Sequence, residues 1–268
     1  MGNLVPKIGG MHLKLTLLLL LLIGWTNVAI VILVVNFIIT IFGKKIFARA
    51  CSNFAVKYNE ISDSIKIELF KDLNNMKEDE KISILEIGAG PGANFKYYKR
   101  NAVVQTVEPN MQFASYFEEN RSKFPNLDIK DIKEGFGENL AAAGIEDSSV
   151  DAVVMTLVLC SVEDQEKCLE EIKRVLKPGG KFFYLEHIIA DEGSTVQKIQ
   201  KLLMSGGFWP FMADGCCLDR ATDKTVKKAE FAQVNQKKFL LPVSEKASLG
   251  FRVIGSLLRP HLMGVATK

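Results

Sequence analysis

The chain has 268 residues, 48% of them hydrophobic and 24% charged, with a formal net charge of +3. A chain of this length forms one large domain or two small ones and buries a full core without disulfides or metals. Its charged and aromatic content excludes a disordered or collagen-like chain, and +3 is too weak for a nucleic-acid footprint. The charge is unevenly placed. Up to Arg49 there are five basic residues (Lys7, Lys14, Lys44, Lys45, Arg49) and no acid, leaving 29 basic against 31 acidic residues, a net of −2, for the remainder.

Leu15 to Phe42 is a run of 28 residues without a formal charge. A bilayer core needs roughly 20 apolar residues as a helix, so the run is long enough to span with tilt. Two other readings stand beside that one. Gly24-Trp25-Thr26-Asn27 can divide the run into two short pieces, giving an interfacial hairpin. A cleaved signal peptide would use Leu15–Ile23 as its apolar core, but no small-x-small site follows it. A retained anchor over residues 1–45 is the expectation. Lys44, Lys45 and Arg49 outnumber Lys7 and Lys14, so the positive-inside bias puts the body on the cytosolic side. The five cysteines (Cys51, Cys160, Cys168, Cys216, Cys217) contain no CxxC pair and read as reduced thiols.

Residues 46–80 carry Phe47, Phe54, Ile61, Ile65 and Leu69 at helical spacing and read as an amphipathic connector helix, either covering the edge of the core or lying near the membrane surface. From there, 81–268 reads as one domain in which strands and helices alternate. Strands are expected at Ile82–Ile87, Ala102–Val107, Leu127–Ile132, Val150–Thr156 and Lys181–Ile189. Helices are expected at Ala93–Lys99, Asn110–Ser122 and Glu163–Leu176, with a turn at Pro178-Gly179-Gly180. Residues 194–230 read as helical, broken at Phe208-Trp209-Pro210-Phe211, and two strands follow at Phe231–Phe239 and His261–Ala266. The alternation predicts an α/β fold with a doubly wound, mainly parallel sheet.

The first strand runs into Leu85-Glu86-Ile87-Gly88-Ala89-Gly90-Pro91-Gly92-Ala93-Asn94-Phe95. Ligands of open α/β sheets bind at such strand-to-helix turns, where glycines admit the ligand to the backbone. Glu108, 20 residues after Gly88, ends the second strand, where a carboxylate accepts hydrogen bonds from both ribose hydroxyls. The pair points to an adenosine-containing ligand. Glu86 stands where a dinucleotide fold more often has an apolar residue. An acid there can receive an ammonium group or hold the loop backbone.

Four stretches make the chain resemble the class I S-adenosylmethionine-dependent methyltransferases: Glu86–Gly92, Val107-Glu108-Pro109, Ser149–Val154 and Leu176–Lys181. That resemblance implies a Rossmann-like, seven-stranded sheet with its last strand antiparallel, and S-adenosylmethionine as cofactor. A subfamily of membrane-associated, alkyl thiol S-methyltransferase-like proteins is closer. The match is carried by Tyr58-Asn59-Glu60, Gly92–Lys96, Gly137-Glu138-Asn139, Thr156–Val162, Glu186-His187, Asp214-Gly215-Cys216 and Arg259-Pro260-His261. The chain departs from it at Ala89, Pro91 and Cys217, and is longer over 241–256.

The resemblance implies that Gly88, Gly90 and Gly92 cradle the methionine part of the cofactor and Glu108 holds its ribose. It places Glu138 near adenine, and Thr156 and Leu157 between cofactor and substrate. It also implies an endoplasmic reticulum or lipid-droplet membrane, with the catalytic domain facing the cytosol.

Methyl transfer from a sulfonium needs orientation more than a protein nucleophile. His187, just beyond Glu186, is the candidate base or orienter, and a hydrogen-bonded structural histidine is the plainer alternative. Phe208, Trp209 and Asp214 are candidates for a pocket that takes a small lipophilic thiol. No metal is expected, because the three histidines and five cysteines show no zinc spacing. The rival readings are a methyltransferase for a lipid, quinone or other O- or C-nucleophile, a membrane protein that binds the cofactor without turnover, and a nicotinamide-dependent oxidoreductase.

Overall fold

The structure is a computed structural model that describes residues 6–76, 81–99, 101–242 and 255–268. Side chains at 6–22, 29, 32, 35–41 and 208 lie outside the described set. The chain divides into two compact units, residues 1–44 and 45–268. Helix α1 (Pro6–Asn75) supplies the first unit and the start of the second.

In the first unit the backbone is helical through Gly24–Asn27, so the break considered above is not present. A single glycine costs a helix only about 1 kcal/mol, and Thr26 returns its hydroxyl to the Ile23 carbonyl at 2.9 Å. Ile23, Trp25, Val31 and Leu33 expose more than half of their surface. Among the described residues no helix is long and apolar enough to cross a membrane. Much of the Leu15–Phe42 run falls outside the described side chains, so the expected anchor is not tested by the structure.

The second unit is built on a seven-stranded sheet. Its strands are β1 (Ile82–Ile87), β2 (Ala102–Glu108), β3 (Asp128–Glu134), β4 (Val150–Thr156), β5 (Leu176–His187), β6 (Gln233–Leu240) and β7 (Pro260–Thr267). Their order is β3-β2-β1-β4-β5-β7-β6, with β7 antiparallel to both β5 and β6 and the other pairings parallel. The strand order reverses between β1 and β4, and the crevice at the carboxyl ends of those two strands is where such sheets bind ligands. β4 is buried along nearly its whole length, as expected of a central parallel strand covered on both faces.

The helices of this unit, after α1, are α2 (Ala114–Arg121), α3 (Gln165–Val175), α4 (Thr195–Ser205), α5 (Phe208–Met212) and α6 (Thr222–Lys228). α3 starts where the Asp164 carboxylate accepts from the backbone N–H groups of Glu166 and Lys167, a standard N-cap. It buries Cys168, Leu169, Ile172 and Val175 against one face of the sheet. On the other face, Tyr58, Leu69, Phe70 and Leu73 of α1 pack with Ile82, Ile84 and Val104. Of the two readings of this segment, the one that covers the core is the one observed.

Three expectations are corrected. The break read at Phe208-Trp209-Pro210-Phe211 is itself helix α5, and the helical path is broken just before it at Gly206-Gly207, where Gly207 takes φ +66°. Ala93–Lys99 is not a helix but a 3-10 turn at Phe95–Tyr97. Phe95, Tyr97 and Tyr98 are all buried, which a regular helix with one apolar stripe does not permit for these neighbours. Pro178-Gly179-Gly180 does not separate a helix from a strand. It lies within β5, where Gly179 takes φ +74° and the register against β4 shifts as in a bulge.

Candidate active site

The glycine turn after β1 is a backbone structure first. Gly88 and Gly92 take φ of +65° and +76°. A Cβ on Gly88 would overlap the Val158 side chain, and one on Gly92 the Phe95 ring. Only glycine meets both demands. Gly90, at φ +52°, donates its N–H to Glu108 Oε2 at 2.9 Å. The other oxygen, Oε1, accepts from the Asn110 N–H at 2.9 Å. Glu108 thus ties the turn to the end of β2. A carboxylate has about four acceptor positions, of which two vicinal ribose hydroxyls need two.

Glu86 is 2% exposed and lies at the centre of a buried polar network. Asn94 Nδ2 donates to its Oε1 at 2.8 Å and the Tyr98 hydroxyl to its Oε2 at 2.8 Å. Asn94 Nδ2 also reaches Thr156 Oγ1 at 3.0 Å, linking the turn to the end of β4. From α1, Lys66 Nζ donates to Asn94 Oδ1 at 2.8 Å and to Asn59 Oδ1 at 2.7 Å. Burial pushes the Glu86 carboxyl up to about 7, against the pull of the Tyr98 and Asn94 hydrogen bonds. Burial likewise lowers the Lys66 ammonium to about 7, with Glu86 opposing. Lys66, Asn94 and Tyr98 were not singled out from the sequence. A lysine on the buried stripe Tyr58, Ser62, Lys66, Leu69, Leu73 was the available signal for the first.

After β4 the chain turns sharply. Leu157 takes φ +58°, a conformation that costs a branched residue of order 1–3 kcal/mol, and its N–H is held by the Leu185 carbonyl at 2.9 Å. The next two N–H groups, of Val158 and Leu159, donate to Glu186 Oε1 at 2.9 and 3.0 Å. Burial raises the Glu186 carboxyl to about 7 despite these bonds.

Glu138 is half-buried, and its Oε1 accepts from the N–H groups of Glu163 and Asp164 at the start of α3, at 2.5 and 3.3 Å. The structure gives it this helix-start role whatever it contributes to adenine. Trp209 is half-buried, with its indole nitrogen buried, while Asp214 is exposed. Asp214, at φ +49°, accepts from Asn110 Nδ2 at 3.1 Å. The Phe208 side chain lies outside the described residues. Arg259 does not pair with Asp214; its Nε donates to the Leu241 carbonyl at 3.0 Å.

His187 is 3% exposed and lies against a cysteine: Nε2 is 3.1 Å from Cys216 Sγ. Burial disfavours its charged form, but the adjacent Cys216 sulfur outweighs this and raises the imidazole above its ordinary value. The Cys216 thiol is lowered to about 4, chiefly by a hydrogen bond from Cys160 and then by His187, against burial. Cys160, Cys216 and His187 were noticed singly in the sequence, and the fold brings them together.

A family model described as "Methyltransferase domain" matches residues 85–184. The human protein named "Thiol S-methyltransferase TMT1A" is 36% identical over 226 residues, 84% of this chain and 87% of that protein. The chain belongs to the S-adenosylmethionine-dependent methyltransferases. Thiol S-methyltransferase TMT1B of Rattus norvegicus is also similar to this methyltransferase, at 36% identity over 77% of this chain and 79% of the relative.

Solved structures support the fold. A Haemonchus contortus phosphoethanolamine N-methyltransferase, solved with S-adenosyl-L-methionine, aligns with a TM-score of 0.57 at 15% identity. The alignment covers 81% of this chain and 57% of the other. The YcgJ protein of Bacillus subtilis aligns with a TM-score of 0.56 at 15% identity, over 76% of this chain and 98% of the other.

S-adenosylmethionine is the cofactor of this methyltransferase, and the residues present fit it. A positive-φ glycine turn, an acid at the end of β2 and a buried acid at the end of β1 suit its methionine backbone, ribose diol and ammonium.

Proposed function

We propose that this methyltransferase moves the methyl group of S-adenosylmethionine to the sulfur of a small lipophilic thiol. We also propose that its N-terminal segment holds it at the cytosolic face of the endoplasmic reticulum or lipid-droplet membrane. The observation that carries the acceptor class is the 36% identity to a thiol S-methyltransferase along 84% of the chain. The cofactor supplies a methyl carbon already activated by its sulfonium. The chain's own work is placement. Gly88, Gly90 and Gly92 bring the backbone close to the methionine end, Glu86 receives the ammonium, and Glu108 fixes the ribose. Thr156 and Leu157 line the crossing point between the strand ends where the acceptor must arrive. A free thiol of ordinary pKa is only a few per cent ionised at pH 7, so the acceptor side must favour the thiolate. His187 is engaged with Cys216 at 3.1 Å, so it acts on the acceptor together with that cysteine.

The test is a product-resolved assay with labelled S-adenosylmethionine and a panel of an alkyl thiol, a phenol and an amine. The expected product is the methyl thioether. Turnover of the thiol no higher than that of the Glu108→Ala variant, or a clear preference for the phenol or amine, overturns the thiol reading.

A further inference from the structure

Cys160, His187 and Cys216 are separated by 27 and 29 residues in the sequence, so no local spacing marks them as a set. Three elements bring them together. Cys160 sits in the turn after β4, His187 is the last residue of β5, and Cys216 lies in the turn after α5. One candidate ligand atom from each, two sulfurs and one ring nitrogen, all fall within 4.8 Å of one another. A tetrahedral zinc site with Zn–S near 2.3 Å and Zn–N near 2.0–2.1 Å needs such atoms about 3.6–3.8 Å apart. Within the 4.8 Å bound the widest pair must close by up to about 1 Å, and the 3.1 Å pair of His187 Nε2 and Cys216 Sγ must open by about 0.5 Å, to reach that geometry.

The backbone fixes the arrangement. The Cys217 N–H donates to the Cys160 carbonyl at 2.8 Å, joining the two cysteine-bearing turns. Asp214 and Gly215, at φ +49° and +87°, bend the chain so that Cys216 turns inward, and the Gly215 N–H is held by the Pro210 carbonyl at 2.8 Å. His187 Nδ1 is buried without a hydrogen-bond partner, so the ring is oriented through Nε2, the atom that faces Cys216. All three thiols of the neighbourhood (Cys160, Cys216, Cys217) are free.

We propose that Cys160, His187 and Cys216 bind one zinc ion and leave its fourth position for the sulfur of the acceptor. Two thiolates and an imidazole are the soft and borderline donors that select zinc over magnesium or calcium. Three protein ligands with one open position form a catalytic arrangement, whereas structural sites are closed by four. The location agrees, because Cys160 follows β4, one of the two strands that bound the crevice, and His187 ends β5, the strand beside it. Only the identity of the fourth ligand rests on the thiol reading.

The step balances as follows. The acceptor R–SH binds zinc through sulfur and its proton leaves to solvent. A lone pair on that sulfur forms the new S–CH3 bond while the bond from the methyl to the cofactor's sulfonium breaks. That electron pair stays on the cofactor sulfur, giving neutral S-adenosylhomocysteine. The product thioether is a poorer zinc ligand than a thiolate and departs. The net change is R–SH plus S-adenosylmethionine to R–S–CH3, S-adenosylhomocysteine and one proton.

The experiment uses the full chain in detergent under reducing conditions, incubated with zinc chloride or cobalt chloride and desalted. Elemental analysis is expected to find about one zinc per chain, the stoichiometry of a three-ligand site. The cobalt form is expected to show a thiolate-to-metal charge-transfer band. Cys160→Ser, His187→Gln and Cys216→Ser each should lose most of the metal, whereas Cys217→Ser keeps it. S-adenosylmethionine binding by calorimetry reports whether each variant is folded, and the cobalt spectrum of the unsubstituted chain does not depend on the variants. Adding an alkyl thiol should shift that spectrum.

Failure to hold zinc and cobalt, or a Cys160–Cys216 disulfide in the protein kept under reducing conditions, overturns the site. A bound metal whose spectrum ignores the thiol overturns the fourth-ligand assignment. A spectrum that responds to the thiol with no methyl thioether formed supports the site and counts against the proposed function instead.

Discussion

Burial moves the Glu86 carboxyl well away from its ordinary form. A carboxyl raised to about 7 by burial is largely protonated at pH 6 in the free protein. Lys66, Tyr98 and Glu108 are the titratable groups that face it, Lys66 favouring ionisation and Glu108 opposing it. If the cofactor's ammonium pairs with Glu86, the bound state needs the carboxylate, and binding must expel the proton that the free state held. The sign follows. Affinity rises with pH up to about 7 and then levels, and it is about tenfold weaker at pH 6 than on the plateau. Calorimetry in buffers of different ionisation enthalpy should find close to one proton released at pH 6 and little above pH 8. Glu86→Gln should abolish the release. Release that persists in the variant would assign it to another group. At Gly92 the expectation is steric. Gly92→Ala places a Cβ into the Phe95 ring at φ +76°, so a loss of roughly 1–3 kcal/mol in denaturant unfolding is expected. Both glutamates and all three glycines were legible in the sequence because they sit in one short motif and at one strand end. Lys66 was not, because it reaches Asn94 across 28 residues from a helix whose burial only the fold reveals.

At the scale of elements, strands were read more faithfully than helices. Ile82–Ile87 and Val150–Thr156 are mostly apolar runs, interrupted by Ser83 and Glu86 in the first and Asp151 in the second, and their limits coincide with β1 and β4. Such runs are self-contained, since a central parallel strand buries every residue. Ala93–Lys99 failed as a helix because Phe95, Tyr97 and Tyr98 each have a separate place in the core. The part of α1 after residue 45 is a helix read correctly, and of its two readings the one that covers the core is the one observed. Phe70 is 1% exposed and meets Tyr97 and Tyr98 with ring centroids 5.6 and 5.7 Å away. Phe70→Ala is expected to cost about 3–5 kcal/mol, the range for truncating a buried phenylalanine. Chemical denaturation measures it, and a change below about 1 kcal/mol would return this stretch to a mere connector. Because Asn59 and Lys66 sit on the same helix, the variant should also weaken cofactor binding if the helix positions the Glu86 network.

At the scale of the whole molecule, charge is split along the chain. A run of 28 uncharged residues flanked by five basic ones stands before a body of net charge −2. Apolar side chains such as Trp25, Val31 and Leu33 are exposed on their helix, which water disfavours and a hydrocarbon phase accepts. The expectation is that the full chain stays in the membrane pellet through alkaline carbonate extraction. The sequence alone suggested this, and the fold neither uses nor opposes it. Arginine near the centre of a spanning helix costs about 2.5–3.5 kcal/mol on insertion scales, so Val31→Arg combined with Leu33→Arg should move a large share of the chain to the soluble fraction. The substitutions lie in the first unit, so the methyltransferase unit should still bind S-adenosylmethionine, which separates loss of anchoring from loss of folding. Orientation is read separately, by protease added to sealed microsomes. The greater basic charge at Lys44, Lys45 and Arg49 predicts that the body is digested from outside while the vesicle is intact. A body protected until detergent is added would place the active site in the lumen and reverse the assignment, whatever the acceptor proves to be.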